Sequence, residues 1–231
     1  MIVDVVIPAY NEQDAIGNVI EDIPKNLVRH IIVVDNNSSD KTANIARRSG
    51  AVVLQENNQG YGFACLKGID YLKSQSTQPD LVVFLDGDYS DFPAQMEQLI
   101  DPFTKTNVDM VIGSRSLGNK TKKAMPIQQR FGNWLSTTLI FIIFGHRFTD
   151  LGPFRVIKFY RLIELEMSDK TFGWTVEMQL KAVKKKMHVL EIPIDYRERI
   201  GESKISGTLK GTILAGYKII LTIFKYAFIK I

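Results

Sequence analysis

The sequence predicts an α/β fold, with a mostly parallel sheet flanked by helices and an amphipathic C-terminal helix. Short runs rich in Val, Ile and Leu alternate with segments of helical period, which is the pattern of βαβ units. The 231 residues are 45% hydrophobic and 23% charged, enough for one domain with a substantial core. The runs expected to form strands are residues 3–7, 30–34, 51–54, 81–85, 108–113 and 189–194.

Each predicted helix has an apolar face and a start or stop signal. Positions 15, 16, 19, 20 and 23 share one helical face before Pro24 ends the element. Ser38, Ser39 and Asp40 offer caps to a helix that ends near Gly50. Pro93 suits a first helical turn, and apolar residues follow at 96, 99, 100 and 103. Residues 134–144 form an apolar run too short to span a bilayer, which predicts a buried or interfacial helix.

The composition limits the compartment and the partners. Cys65 is the only cysteine, so an internal disulfide and a Cys-based zinc cluster are excluded, and a buried position is expected for it. The net charge is +4 with an isoelectric point near 9.0, which disfavours nucleic acid but suits anionic lipids or phosphorylated substrates. The chain starts in a predicted strand without a basic leader, so a cytoplasmic location is expected.

The C-terminal stretch, residues 209–231, is apolar but carries Lys210, Lys218 and Lys225 as one helical stripe. Placing Lys218 near a bilayer centre would cost ~3 kcal/mol, whereas a helix lying flat lets the lysines reach the headgroups. We therefore expect residues 1–207 to form the main domain and residues 208–231 a membrane-interfacial helix. Periodicity alone leaves open that this helix packs on the core or on a partner subunit.

Asp86 and Asp88, separated by Gly87, follow the predicted strand 81–85 directly. Open α/β sheets bind ligands at the carboxyl ends of their strands. Two carboxylates at such an edge can hold a hard divalent ion, and that ion can hold a diphosphate. The pair alone is also compatible with a solvated turn.

Two further polar loops follow the first two predicted strands, at the same expected edge. They are the segments Pro8-Ala9-Tyr10-Asn11-Glu12 and Asp35-Asn36-Asn37-Ser38-Ser39-Asp40. An aromatic ring and carboxylates in such loops can bind the base and ribose of a nucleoside. Neither loop has a glycine pattern that cradles phosphates, so an ordinary dinucleotide fold or P-loop is disfavoured and a metal is the natural phosphate holder.

Taken in order and spacing, these motifs resemble the family 2 glycosyltransferases of GT-A fold, in particular the branch that makes dolichyl- or polyprenyl-phosphate sugars. The resemblance covers nearly the whole chain. It continues through Gly113-Ser114-Arg115, the segment from Asp150 to Arg155, the segment from Trp174 to Met178 and the segment from Arg199 to Ser206. It implies an inverting transfer of a hexose from a UDP or GDP sugar to a lipid phosphate, with Mg²⁺ or Mn²⁺ as cofactor.

The resemblance also assigns residues to the nucleotide-sugar end of the site. Asp86 is expected to face the ribose and the metal, and Asp88 to ligate the metal. Arg199 and Lys204 match the family's mobile loop and are expected to meet the diphosphate, although a solvated linker has the same composition. The residues expected to border the nucleotide sugar are Pro8, Ala9, Tyr10, Glu12, Asp35 and Asp86. Relatives often have a glutamine where this chain has Ser90, and the following Asp91 is expected to cap a helix.

At the acceptor end, Arg115, Arg130 and Ser203 are expected to bind the acceptor phosphate, because a guanidinium donates two parallel hydrogen bonds to phosphate oxygens. The lysines at 120, 122 and 123 are more simply a solvated loop. Asp150 is expected near the reacting centre. Glu177 is either an exposed partner of Lys181, one helical turn away, or a sugar contact.

Three functions remain open from the sequence. A phosphate acceptor is already anionic and needs no base, so Asp150 would then orient substrate. A saccharide, lipid or protein hydroxyl would instead require Asp150 or Glu177 as a base. A non-catalytic membrane-associated scaffold is the third. The expected location is the inner face of the cell membrane, alone, as a homo-oligomer or with a membrane-protein partner.

Overall fold

The computed structural model describes residues 1–121, 124–201 and 209–229. Within them, seven strands form one sheet in the order β3-β2-β1-β4-β6-β5-β7. All neighbouring strands are parallel except β6, which is antiparallel to both β4 and β5. The strands are β1 Val3–Ala9, β2 His30–Asp35, β3 Val52–Gln55, β4 Leu81–Phe84, β5 Met110–Ser114, β6 Arg155–Lys158 and β7 Val189–Pro193.

Helices connect most of these strands and cover both faces of the sheet. Pro93–Gln95 forms a 3₁₀ turn that leads into α4. The helices in the described residues are α1 Ile16–Asp22, α2 Thr42–Arg48, α3 Tyr61–Ser74, α4 Met96–Ile100, α5 Pro102–Lys105, α6 Ile127–Phe144, α7 Phe159–Glu164, α8 Trp174–Lys184 and α9 Leu209–Phe228.

The sheet separates two apolar cores. Because side chains alternate across a strand, Val6 of β1 joins one core and Val5 and Ile7 join the other. The first core is closed by α3, α6 and α8, and it contains Trp174 and the buried Cys65. The second is closed by α1 and α4. Burial on both faces explains why the central strands read as continuous apolar runs.

The predicted sheet is confirmed, with one strand missed. Five predicted strands shift by one or two residues at their ends, and residues 30–34 extend by one residue to His30–Asp35. The missed strand is β6, which is only four residues long and carries Arg155 and Lys158 at its ends. Arg155 is buried there, and its guanidinium donates to the carbonyl of Thr175 at 3.0 Å. A buried arginine satisfied by main-chain carbonyls leaves no hydrophobic signal in the sequence.

The C-terminal helix α9 packs against α6 and α8. One side of it is buried through Thr222, Ile223 and Tyr226. Its other side is exposed at Ile213, Leu214, Leu221, Phe224 and Phe228. The neighbouring α6, which begins earlier than predicted, also has exposed apolar side chains: Ile127, Phe131, Trp134, Phe141 and Ile142. No helix within the described residues is both long enough and apolar enough to cross a bilayer.

Candidate active site

A cavity of ≈ 460 Å³ opens at the carboxyl ends of β1, β2 and β4, a volume suited to a small ligand. Its sheet side is formed by the loops that follow these strands, as expected from the parallel topology. Most of the residues that the sequence assigned to the nucleotide sugar line it: Pro8, Ala9, Tyr10, Glu12, Asp86, Asp88 and Arg199.

Asp35 is placed differently. It is buried, and its Oδ1 accepts a hydrogen bond from the backbone N–H of Ser38 at 3.3 Å. The next residue, Asn36, lines the cavity instead. The Asn36 side chain donates to the carbonyl of Asn58 at 2.6 Å and accepts from the N–H of Gly60 at 2.7 Å. Asn36 therefore fixes the segment that leads into α3, a role that its position in a polar loop did not reveal.

Asp86 is held by Tyr61, the first residue of α3. The Tyr61 hydroxyl donates to Asp86 Oδ1 at 3.0 Å, and both side chains line the cavity. No described residue donates a hydrogen bond to the other oxygen, Oδ2. Burial and then repulsion from Asp88 raise the pKa of Asp86 to about 6. Tyr61 was missed from the sequence; the signal was an aromatic residue at the start of the helix after β3.

Asp88 has partners on both oxygens. Its Oδ1 accepts from the N–H of Ser90 at 2.9 Å and from the Ser90 hydroxyl at 2.5 Å. Its Oδ2 lies 3.2 Å from Nη1 of Arg199, and the same guanidinium lies 2.9 Å from Oε1 of Glu12. The backbone N–H of Ile200 also donates to the Asp88 carbonyl at 3.0 Å. Ser90 thus orients the second aspartate, and Arg199 joins it to the loop after β1.

Arg115 and Asp150 form a buried ion pair behind this cavity. Two guanidinium nitrogens and the backbone N–H of Arg115 each donate to the Asp150 carboxylate at 2.8 Å. The backbone of Asp150 is fixed as well, because its N–H donates to Glu191 and its carbonyl accepts from Gln179. Burial acts against the charge on Arg115, but the attraction of Asp150 raises the pKa of Arg115 well above its usual range. Neither residue lines the cavity.

Asp91 is not a helix cap, so that expectation is wrong. The 3₁₀ turn Pro93–Gln95 has no side-chain cap, and Asp91 pairs as an isolated bridge with Tyr196. Its side chain is buried, and neither carboxylate oxygen accepts a hydrogen bond from a described residue. Burial and then repulsion from Asp86 raise the pKa of Asp91 well above its usual range.

Glu177 is also placed differently, because its pair with Lys181 is buried rather than exposed. The side chain of Glu177 is 0% accessible, and the Nζ of Lys181 lies 2.9 Å from Oε1. Further hydrogen bonds come from Ser168, Asp169 and Tyr226. Burial alone would raise the pKa of Glu177, but the hydrogen bonds outweigh it and lower the pKa below its usual value. Glu177 does not line the cavity.

A second, smaller cavity of ≈ 280 Å³ is lined by Lys120, Thr121, Met125 and Arg130. Two cations beside an open space suit a phosphate group. It lies close to the buried ion pair in the fold, since Tyr196 bridges to Lys120 and its ring centroid lies 5.1 Å from the guanidinium carbon of Arg115. The remaining loop residues named from the sequence, Ser203 and Lys204 together with the lysines at 122 and 123, lie outside the described residues.

The fold is the GT-A fold of glycosyltransferases. The chain superposes on glucosyl-3-phosphoglycerate synthase from Mycobacterium tuberculosis, solved with Mn²⁺, UDP and glucosyl-3-phosphoglycerate, with a TM-score of 0.74. The match has 20% identity and covers 97% of this chain and 79% of that one, which establishes the fold alone.

The sequence comparisons establish the family. Residues 4–166 match the model of Glycosyl transferase family 2, and the chain belongs to that family. It is 30% identical to a dolichyl-phosphate hexose transferase of Haloferax volcanii over 87% of this chain and 85% of that protein. It is 27% identical to a UDP-N-acetylglucosamine–dolichyl-phosphate N-acetylglucosaminyltransferase of Methanococcus voltae over 82% and 83%. The protein is therefore an enzyme, a glycosyltransferase.

Proposed function

We propose that this glycosyltransferase moves a hexose from a UDP or GDP sugar to a polyprenyl or dolichyl phosphate, with inversion and with a divalent metal ion. The observation that carries the proposal is that Asp86 and Asp88 line one cavity together with aromatic and polar residues from the loops after β1 and β3. An oxygen of the acceptor phosphate bonds to the anomeric carbon as the bond from that carbon to the diphosphate breaks.

The acids fit Mg²⁺ or Mn²⁺ through their oxygen donors. Asp86 offers Oδ2, and Asp88 offers Oδ2 once Arg199 moves from it. The described residues contain no group of three or more ligands for a metal. One or two carboxylates completed by substrate phosphates and water is the usual set for Mg²⁺. The bound ion would neutralise the charge that develops on the departing diphosphate. Arg199 lines the same cavity and can add a second positive charge there.

The state of the other acids favours a phosphate acceptor over a hydroxyl. A hydroxyl needs a base within hydrogen-bond reach, whereas a phosphate is already anionic. Asp150 is occupied by Arg115, and Glu177 is occupied by the donors around it. Neither acid lines the cavity. We infer that Asp150 orients Arg115 and the loop around it.

The acceptor phosphate is proposed to bind in the smaller cavity, at Lys120 and Arg130. Arg130 lies in the first turn of α6, beside the exposed Ile127 and Phe131. A lipid phosphate bound there would have apolar surface next to its chain. The names of the two archaeal relatives, both dolichyl-phosphate sugar transferases, support this acceptor class.

We propose that the protein binds the inner face of the cell membrane through α6 and α9. The two helices pack together, and each has exposed apolar side chains. Such surface on a monomer is typical of an interaction site. Lys225 is exposed on α9 and favours a helix that lies in the headgroup region, whereas the Nζ of Lys218 lies 3.0 Å from Asp169 Oδ2. In this proposal residues 1–207 form the catalytic domain and residues 208–231 the membrane-associated helix.

A transfer assay with the purified protein tests the acceptor. Polyprenyl phosphate and the matching polyprenol are each offered with UDP-glucose, GDP-mannose or UDP-N-acetylglucosamine and with Mn²⁺. We expect product only from the phosphate. The control variant Asp70→Asn changes an acid that is exposed on α3, and it should behave as the wild-type protein. Turnover of the polyprenol and not of its phosphate would overturn the lipid-phosphate assignment.

Transfer to a hydroxyl is the second candidate, and Asp91 is the observation that favours it. This carboxyl is buried, interacts with Asp86 and Asp88, and accepts no hydrogen bond from the described residues. Asp91 does not line the cavity either, so it would act as the base only if acceptor binding exposed it. In the same assay, turnover of polyprenol that is lost in Asp91→Asn would support this candidate.

A further inference from the structure

We propose that Glu177 is a positioning residue that joins the C-terminal helix to the wall of the nucleotide cavity. Through Glu177, the docking of α9 sets the conformation of residues 168–173, hereafter the wall loop. This inference rests on the proposed nucleotide-sugar site and assigns a control element to it. Three sets of contacts make this connection. They join α9 to Glu177 and the wall loop, Glu177 to the wall loop, and the wall loop to the cavity.

The first set joins α9 to the wall loop. Tyr226 donates its hydroxyl proton to Glu177 Oε1 at 2.6 Å, and Lys218 Nζ lies 3.0 Å from Asp169 Oδ2. Between them, Thr222 packs against Gly173 so closely that a Cβ on that glycine would lie 2.7 Å from the threonine hydroxyl. Residues 218, 222 and 226 are spaced by four, so they share one face of the helix. This face is the docked one.

The second set is made by the Glu177 carboxylate, which accepts hydrogen bonds from two residues of the wall loop. The backbone N–H of Asp169 donates to Oε2 at 2.7 Å, and the hydroxyl of Ser168 donates to Oε1 at 2.7 Å. The Ser168 N–H adds a hydrogen bond at 3.1 Å. The carboxylate is fully buried, where hydrogen bonds to a charged group are strong. Loss of the hydrogen bond from Tyr226 would remove the support that α9 gives to the Glu177 carboxylate.

The third set joins the wall loop to the cavity and to α3. Thr171 and Phe172 line the cavity, and the backbone N–H of Thr171 donates to Asp169 Oδ1 at 2.8 Å. The carbonyl of Lys170 accepts from the N–H of Phe63 at 3.1 Å. A Cβ at Gly62 would lie 2.0 Å from the Asp169 carbonyl oxygen, so the loop and α3 leave no room for a side chain between them.

The same start of α3 presents Tyr61 to Asp86. The contacts therefore run without interruption from α9 through Glu177 and the wall loop to the first of the two acids. Because the exposed apolar residues of α9 lie on its other side, the helix can contact a membrane with one face and the wall loop with the other. A helix displaced from the body of the protein would release Glu177 and loosen the wall.

The test is the affinity for nucleotide in the absence of lipid and acceptor. Tyr226→Phe removes one hydroxyl and Lys218→Met removes one charge, both from the docked face. Tyr217→Phe is the matched control, because Tyr217 lies on the same helix and is 65% exposed. Calorimetry with UDP and GDP in the presence of Mn²⁺ gives the Kd for each protein. We expect Tyr226→Phe and Lys218→Met each to weaken nucleotide binding about tenfold, the scale of one charged hydrogen bond.

Two further measurements separate positioning from general stability. In the transfer assay, the two variants should raise the KM for the donor while kcat at saturating donor stays within about twofold, since no reacting group changes. Hydrogen exchange of the Ser168 and Asp169 amides should accelerate in Tyr226→Phe and stay unchanged in Tyr217→Phe. Unchanged Kd and unchanged exchange in both docked-face variants would overturn the inference.

The outcome is distinguishable from failure of the proposed function. A wild-type protein that binds neither UDP nor GDP with Mn²⁺ contradicts the nucleotide site itself. A wild-type protein that binds nucleotide, with variants that bind it equally well and melt at a lower temperature, contradicts only the coupling. Faster exchange in the wall loop with a weakened Kd supports both.

Discussion

The nucleotide cavity and the polar layer behind it use carboxylates in opposite ways. In the cavity, Asp86 keeps one oxygen without a hydrogen bond from the described residues, and Asp88 pairs with Arg199 through Oδ2. Behind it, Asp150 and Glu177 are fully buried, and each is surrounded by donors from its own chain. Asp86 therefore has an oxygen left for a ligand, whereas the carboxylates of Asp150 and Glu177 are fully used in holding loops. We therefore propose that remaining hydrogen-bond capacity towards the cavity, rather than position at a sheet edge, marks the acids that bind a ligand.

The largest expected effect comes from breaking the buried pair behind the cavity. Asp150→Ala leaves the Arg115 guanidinium buried without its carboxylate, and removing one partner of such a pair costs about 3–5 kcal/mol. Urea denaturation should show this loss in the free energy of unfolding. Asp101→Ala, which breaks an exposed pair with Lys105, should cost ~0.5 kcal/mol or less. A similar small cost for both variants would mean that Asp150 is not a structural acid.

The second-largest expected effect is on catalysis, and it concerns the acids in the cavity. Asp88→Asn keeps the shape of the side chain but removes the charge that would hold a metal ion, and metal charge stabilisation contributes several kcal/mol to catalysis. We expect kcat for sugar transfer to fall by about 100-fold or more, with little change in the melting temperature. Asp70→Asn serves as the control. Activity within tenfold of the wild-type protein would place the metal elsewhere.

The smallest effect is the pH dependence of stability at Glu177. Its pKa is lowered by folding, so its ionised form contributes stability that is fully present above its ordinary pKa of 4.5 and is lost as the pH falls through the lower folded value. Glu177→Gln should therefore lower the free energy of unfolding by about 1.5–3 kcal/mol near pH 7, the scale of a charged hydrogen bond. The gap from wild type should close below pH 4.5. A gap that stays constant from pH 7 to pH 3 would contradict the lowered pKa.

The sequence was sufficient for six of the seven strands and for the position of the cavity. Continuous apolar runs predict buried parallel strands, and the polar loops after β1 and β4 follow from that topology, so Tyr10, Asp86 and Asp88 fall in one cavity. The sequence could not predict contacts between residues that are far apart along the chain. Whether Glu177 is exposed depends on Tyr226, 49 residues away, and whether Arg115 is available depends on Asp150, 35 residues away.

Two predictions failed because a local sequence pattern is compatible with more than one structure. Asp91 precedes a proline-led turn, which is a common capping pattern, but its bridge to Tyr196 turns the backbone away from that role. Glu177 and Lys181 have the spacing of a surface salt bridge, and the same spacing also suits a buried pair once another helix covers it. In both cases the covering segment arrives from the C-terminal third of the chain. The spacing of neighbouring residues carries no information about which distant segment will pack over them.

The contact between Arg199 and Asp88 makes the arginine an internal counterion. An ion that binds through Asp88 Oδ2 must first displace a positive charge that the protein itself supplies. The net affinity for metal is then the difference between two electrostatic attractions. A nucleoside diphosphate reduces this competition, because its phosphates offer the guanidinium a new partner. In the proposed function, metal and nucleotide would therefore favour each other's binding.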